Sequence, residues 1–221
     1  EPKAPPKPKG VKAKDDDGYE AEEADKGDPV PKIRIKLGDG KERKIQYLAT
    51  TSYWVDGRPI SSEAFMERLF GDLSGIVGGE DELREKWSDP DLRKSLVTAL
   101  EERGYDFDRL GEMAQLIDAT DSDIFDVLAY VRFALDPKTR LARADDARRD
   151  GLEGYELDMR DFLRHVLEVY EKHGVEELGY DKLADLLTVR YGSIGDARGR
   201  LGDVSSIRAA FAKVQRFIYA Q

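Results

Sequence analysis

The chain contains no cysteine. That absence removes disulfides, a thiolate nucleophile, zinc-cysteine sites and iron-sulfur clusters together, and it fits a reducing compartment, the cytoplasm. Only two histidines occur, His165 and His173, which leaves little material for a nucleophile-histidine-acid triad. No uninterrupted apolar run approaches the about 20 residues that a membrane-spanning helix requires. Excess positive charge is missing as well: 36 Lys and Arg stand against 46 Asp and Glu, a formal charge of -10, so the chain does not coat nucleic acid through net charge. The phosphate-binding pattern G-x-x-x-x-G-K-S/T is absent, and the glycines at 38, 40, 78, 79, 192 and 195 lack the strand-loop-helix setting of a nucleotide cradle. They read as turns. Gly192-Ser193-Ile194-Gly195 has the G-x-x-G spacing of an RNA-binding clamp without the mixed β/α surroundings that clamp needs.

What is present supports one hydrophobic core. Hydrophobic residues make up 40% of the sequence, enough for a single domain of this length. Residues 1–30 stand apart: EPKAPPKPKG leads into DDDGYEAEEADKGD, a stretch almost without aliphatic side chains. Such a segment cannot offset its ordering entropy by burial, and its prolines favour extended conformations, so it reads as a flexible interdomain linker. Glu1 in first place, with no signal-peptide core after it, reads as a cut inside a longer protein. The domain proper is expected over 31–221.

That domain opens with a β-hairpin pattern. Ile33, Ile35 and Leu37 alternate with Arg34 and Lys36, Gly38-Asp39-Gly40 supplies a turn with positive φ, and ERKIQYLATTSYWV follows with a second turn at Asp56-Gly57. Two or three strands are expected. From Ile60 onward the apolar spacing is helical. Ser61 or Ser62 caps a helix reaching Phe70 and stopped by Gly71, with Ile60 and Phe65 placed as a hydrophobic staple. Asp89-Pro90 opens a helix lined by Leu92, Leu96 and Leu100 and ended by Gly104. Further helices are predicted over 107–118, 122–135, 138–149, 156–173, 180–191 and 203–219. The pattern DSDIFDVLAYVRFAL at 121–135 is apolar nearly all round, with Asp126 and Arg132 as its interior charges, which marks a buried central helix. Asp121 or Ser122 is expected to cap it, and the nearby acids suit the positive end of its dipole. The expected fold is therefore mainly α, a multi-helix domain with a small N-terminal antiparallel hairpin.

No constellation points to bond-breaking chemistry. Asp158, Asp161, His165 and Glu168 share one side of a helix at spacings of three, four and three, but a di-iron bundle needs a Glu-x-x-His pair from each of two helices, and a solvated polar face is the better reading. His173, directly before Gly174, sits where a cation meets the last carbonyls of its helix. Adjacent acids such as Glu101-Glu102, Asp145-Asp146 and Asp15 to Asp17 point in different directions and read as exposed. Arg140, Arg143, Arg148 and Arg149 are interleaved with Asp145, Asp146 and Asp150, so that helix reads as laced with ion pairs. From Leu186 to Gln221, six bases face two acids, a local +4. There Arg190, Tyr191, Arg198 and Arg200 mix bases with an aromatic across glycine-containing turns, which suits contact with DNA phosphates or with an acidic partner. No catalytic, cofactor-binding or metal residue is assigned.

Several motifs line up together with a known family. WVDGRPISSEAFMERLFGDL (54–73), LREKWSDPDLRKSLVTALEERGYD (83–106), LIDATDSDIFDVLAYVRFAL (116–135) and IRAAFAKVQRFIY (207–219), with GVEEL at 174–178 and RYG at 190–192, resemble the C-terminal domain of the R subunit of type I restriction enzymes, EcoEI type. The resemblance implies a place inside a larger machine. In that family a nuclease domain and two helicase-like motor domains lie upstream and use ATP and magnesium. The C-terminal part helps attach the subunit to its methyltransferase and specificity partners, and DNA is met through the complex. The family's catalytic motifs have no matching positions in this chain. The resemblance thus implies a non-catalytic assembly domain. The alternative, read from the residues, is a nucleic-acid-contacting helical domain that uses the basic C-terminal segment with Arg190, Arg198 and Arg200.

Overall fold

The computed structural model describes residues 32–46, 53–55 and 58–220. The expected linker and the Asp56-Gly57 turn lie outside these residues. The hairpin pairs β1 (Lys32–Lys36) with β2 (Glu42–Gln46) antiparallel, Ile33 opposite Ile45 and Ile35 opposite Arg43. Period-2 alternation places Ile35, Leu37 and Ile45 in the core. Of the two turn glycines only Gly40 has a positive φ, 77°. Gly38 serves close approach instead, since a Cβ there would lie 3.2 Å from the Phe70 ring. A second hairpin, β3 (Tyr53–Val55) with β4 (Arg58–Ile60), is separate from the first, so the described residues hold four short strands in two sheets rather than the expected two or three.

Ten α-helices follow among the described residues. Ser61 caps α1 (Ser62–Ile76) by accepting from the Ala64 N-H, and Phe65, Met66, Leu69 and Leu73 bury its inner face. Gly71 does not stop this helix, as expected of it, because the chain lacks a C-cap geometry until Val77. A helix not anticipated from the sequence, α2 (Glu80–Ser88), starts at Gly79 and buries Leu83 and Trp87 one turn apart. Asp89 then caps α3 (Pro90–Glu101), accepting from the Asp91 and Leu92 N-H groups with Pro90 in the first turn, as its sequence predicts. Leu96 and Leu100 are buried, but Leu92 is exposed and Arg93 is buried in its place. Arg93 donates to the Trp87 and Leu178 carbonyls, which satisfies its buried guanidinium.

The remaining helices are α4 (Phe107–Leu116), α5 (Ile124–Phe133), α6 (Arg140–Asp150), α7 (Leu157–His173), α8 (Leu183–Tyr191), α9 (Ile194–Leu201) and α10 (Val204–Ile218), with a 3-10 turn at Val175–Leu178. Helix α5 is buried from Phe125 to Val131 and packs against α1, α4 and α2. Its cap is Asp123, neither Asp121 nor Ser122: the carboxylate accepts from the Phe125 N-H and from the Tyr219 hydroxyl. Its far end meets the hairpin. Lys41 donates to the Phe133 carbonyl, and the buried Arg43 donates to the carbonyls of Tyr130 and Val131 while pairing with Asp39. Cations thus occupy the negative end of the α5 dipole, and this fastens a two-stranded sheet that would be marginal alone. The two interior charges of α5 part company. Asp126 forms a two-pronged pair with Arg143 of α6, while Arg132 lies over the rings of Phe70 and Phe133.

Candidate partner interface

Helix α7 organises the C-terminal half. Met159, Phe162, Leu163, Val166, Leu167 and Tyr170 form a buried stripe at helical spacing, and its other side is polar. On that polar side Asp161 accepts from Arg164, and His165 Nδ1 lies 3.9 Å from Glu168. Burial, with the nearby Arg190 charge, pulls the His165 imidazole below its ordinary value. The four residues of the metal-face pattern are not gathered into a site: among the described residues no three His, Asp or Glu side chains are placed to hold an ion.

Four sequence-selected residues sit on the helices that pack along α7. Arg190 and Tyr191 end α8, where Gly192, with a φ of 84°, forms the cap. Ser193 caps α9, accepting from the Asp196 N-H and donating to its carboxylate. This Ser-x-x-Asp signature was the available signal for α9, which the glycines at 192, 195 and 199 conceal as a run of turns. Arg198 and Arg200 lie on that helix rather than on a loop. Tyr191 leans on Phe162, its hydroxyl donates to the Asp158 carbonyl, and the Arg200 guanidinium lies 5.9 Å from its ring centre. Tyr191 and Arg200 are therefore brought together, and Arg190 adjoins them. Arg198 is exposed and makes no side-chain hydrogen bond among the described residues.

The sequence did not single out Lys213 and Tyr155, and the fold joins them to this face. Lys213 of α10 lies 5.5 Å from the Tyr155 ring, and a groove of about 650 Å³ runs between the start of α7, the end of α9 and α10. Met159, Leu201, Ala209 and Ala210 line it, with Arg200 and Lys213 among its walls. Also on α10, Arg208 stacks on Tyr180 at 3.9 Å. None of Arg190, Arg198, Arg200, Arg208, Lys213 and Arg216 belongs to an ion pair among the described residues.

Helix α6 shows the opposite arrangement, of which its alternating charges predict only the pairs of Arg148 with Asp145 and of Arg149 with Asp146 and Asp150. Arg143 is taken by Asp126, Arg148 by Asp145 and Glu171, Arg149 by Asp146 and Asp150, and Arg140 by the Ser122 carbonyl. A second cleft, about 670 Å³, lies between α4 and the turn after α7 and is lined by Asp108, Glu112, Glu176, Arg140 and His173. Burial raises the Glu176 carboxyl above its ordinary value, aided by Glu177 and Asp108.

Comparison with known proteins gives two matches. A family model described as EcoEI R protein C-terminal covers residues 63–219. The Type I restriction enzyme EcoAI endonuclease subunit of Escherichia coli is 27% identical over 182 residues, which is 80% of this chain and 21% of that protein. The chain therefore spans about a fifth of the length of the curated relative it matches. No solved structure matches.

Proposed function

The chain belongs to the EcoEI R protein C-terminal family, and from that membership we propose that it is the non-catalytic assembly domain of a type I restriction endonuclease R subunit. In this reading it holds an ATP-dependent, DNA-translocating nuclease subunit on a methyltransferase and specificity core, in the cytoplasm, in defence against foreign DNA. The supporting observation is the extent of the match. It spans the helical body from α1 to α10, while the chain covers only 21% of the endonuclease subunit it resembles. ATP and magnesium, implied for the parent subunit, belong in this reading to its motor and nuclease domains, and the chain itself carries no G-x-x-x-x-G-K-S/T pattern. The proposal places them elsewhere in the parent.

A domain that positions partners needs a rigid body and a free surface. The buried network around α5 is suited to the first, and the unneutralised face of α8 to α10 to the second. The test is competition. The isolated chain, added in excess to purified methyltransferase–specificity core, is expected to displace the full R subunit in a size-exclusion or pull-down assay. Full assembly in the presence of saturating fragment would overturn the proposal.

A further inference from the structure

We infer that the groove between α7, α9 and α10 seats an acidic segment of a partner protein, with an apolar side chain on the groove floor and carboxylates against Arg200 and Lys213. This rests on the assembly reading and adds the surface and the partner's chemistry. The floor is built from Met159, Leu201, Ala209 and Ala210, above which about 650 Å³ stays open. A floor of this kind rewards burial of carbon and offers nothing to a phosphate. Close in sequence to lining residues, the chain exposes two large apolar residues, Leu157 at 73% and Val204 at 48%. Apolar surface beside unneutralised cations is the composition of an interface core with a polar rim.

The cations are held ready for carboxylates. Arg200 lies over Tyr191 and Lys213 over Tyr155, so each side chain gives up part of its conformational freedom before any partner arrives. In a chain of charge -10 whose Arg143, Arg148 and Arg149 on α6 are ion-paired, these two remain without an ion-pair partner among the described residues. Glu156 also lines the groove. A carboxylate there repels a continuous phosphodiester backbone, whereas a protein segment can place its acids against the two cations and keep clear of it. Charge complementarity and the apolar floor together favour protein over nucleic acid.

The experiment uses the full R subunit titrated into purified methyltransferase–specificity core, each variant first checked for unchanged helicity by circular dichroism. Arg200→Glu with Lys213→Glu is expected to weaken assembly about tenfold, and rising salt to weaken the wild type in the same sense. Ala209→Trp, which fills the groove without altering charge, is expected to weaken it comparably. A photo-crosslinking residue at 209 is expected to capture a core peptide with Asp or Glu beside an apolar residue. Capture of a peptide without acids overturns the inference. Wild-type affinity in both variants, in a subunit whose assembly is lost when this domain is deleted, overturns the groove and leaves the docking role standing. Assembly that survives the deletion overturns both. Intact core assembly with lost affinity for duplex DNA assigns the face to nucleic acid and overturns the inference as well.

Discussion

Arg143 is 4% exposed, in a part of the protein where water cannot solvate its charge. Burial acts to strip that charge, and the Asp126 carboxylate outweighs it, so the guanidinium is held above its ordinary value. Two bonds to Asp126, at 2.9 and 2.6 Å, and one to the Ile218 carbonyl engage all three of its nitrogens, and the rings of Phe125 and Tyr219 flank it. Asp126 also accepts from the Lys138 N-H. Removing one member leaves the other charged and dry. Arg143→Met is therefore expected to destabilise the domain by about 3–5 kcal/mol in urea unfolding. Adding Asp126→Asn, which still accepts from Lys138, is expected to restore part of that loss, because the two side chains form one unit. Additive losses would show that they act independently. Nothing in the sequence distinguishes Arg43, Arg93 and Arg143 from arginines at the surface. Buried arginine is rare, and what permits it here is carbonyls and carboxylates delivered by other elements.

Among the helices, glycines acquire opposite meanings from their surroundings. Gly71 lies inside α1, and a Cβ added there meets nothing within 4 Å. Gly71→Ala is expected to raise stability by about 0.5–1 kcal/mol, since the chain then surrenders less backbone entropy on folding. Gly151 ends α6, where the same Cβ would lie 2.7 Å from the Ala147 carbonyl oxygen and 2.9 Å from the Phe217 ring. Gly151→Ala is expected to cost about 1–3 kcal/mol through that overlap. Thermal unfolding of the two variants checks both signs, and equal shifts would refute the distinction. The sequence reading ended α1 at Gly71 because a helix-terminating glycine and a tolerated one are the same letter. It missed α2 for a related reason. That helix has no side-chain cap and a short apolar stripe, Leu83 and Trp87, whose burial is completed by α5 and α10.

The molecule closes on itself through its last helix. Helix α10 packs on α6, α2, α7 and α9 and buries Ile207, Phe211, Val214 and Ile218. Just beyond it, Tyr219 is 1% exposed and donates to Asp123 at the head of α5. Each such side chain contributes about 1.5–3 kcal/mol on burial, against a whole-domain stability of about 5–15 kcal/mol. A chain ending at Gly202 is therefore expected to lose its cooperative transition, read by circular dichroism across a urea gradient. A sigmoidal transition in the shortened chain would show that the core stands without α10.

Period and punctuation in the sequence determined the helical class, the N-terminal hairpin, the central burial of α5, a serine cap at 61 or 62 and the cap at Asp89-Pro90. These features depend on residues within a few positions of one another, where the chain's own geometry decides the outcome. The order and spread of motifs also carried the family, now shown over residues 63–219. Only the tertiary structure decided which charges are buried, which glycines are strained by an added side chain and where the open surface lies. Arg43 reaches across 87 residues to the end of α5, and the groove takes Tyr155, Arg200 and Lys213 from separate elements. Burial and charge pairing depend on neighbours remote in the chain, and a sequence does not name these until the helices have packed.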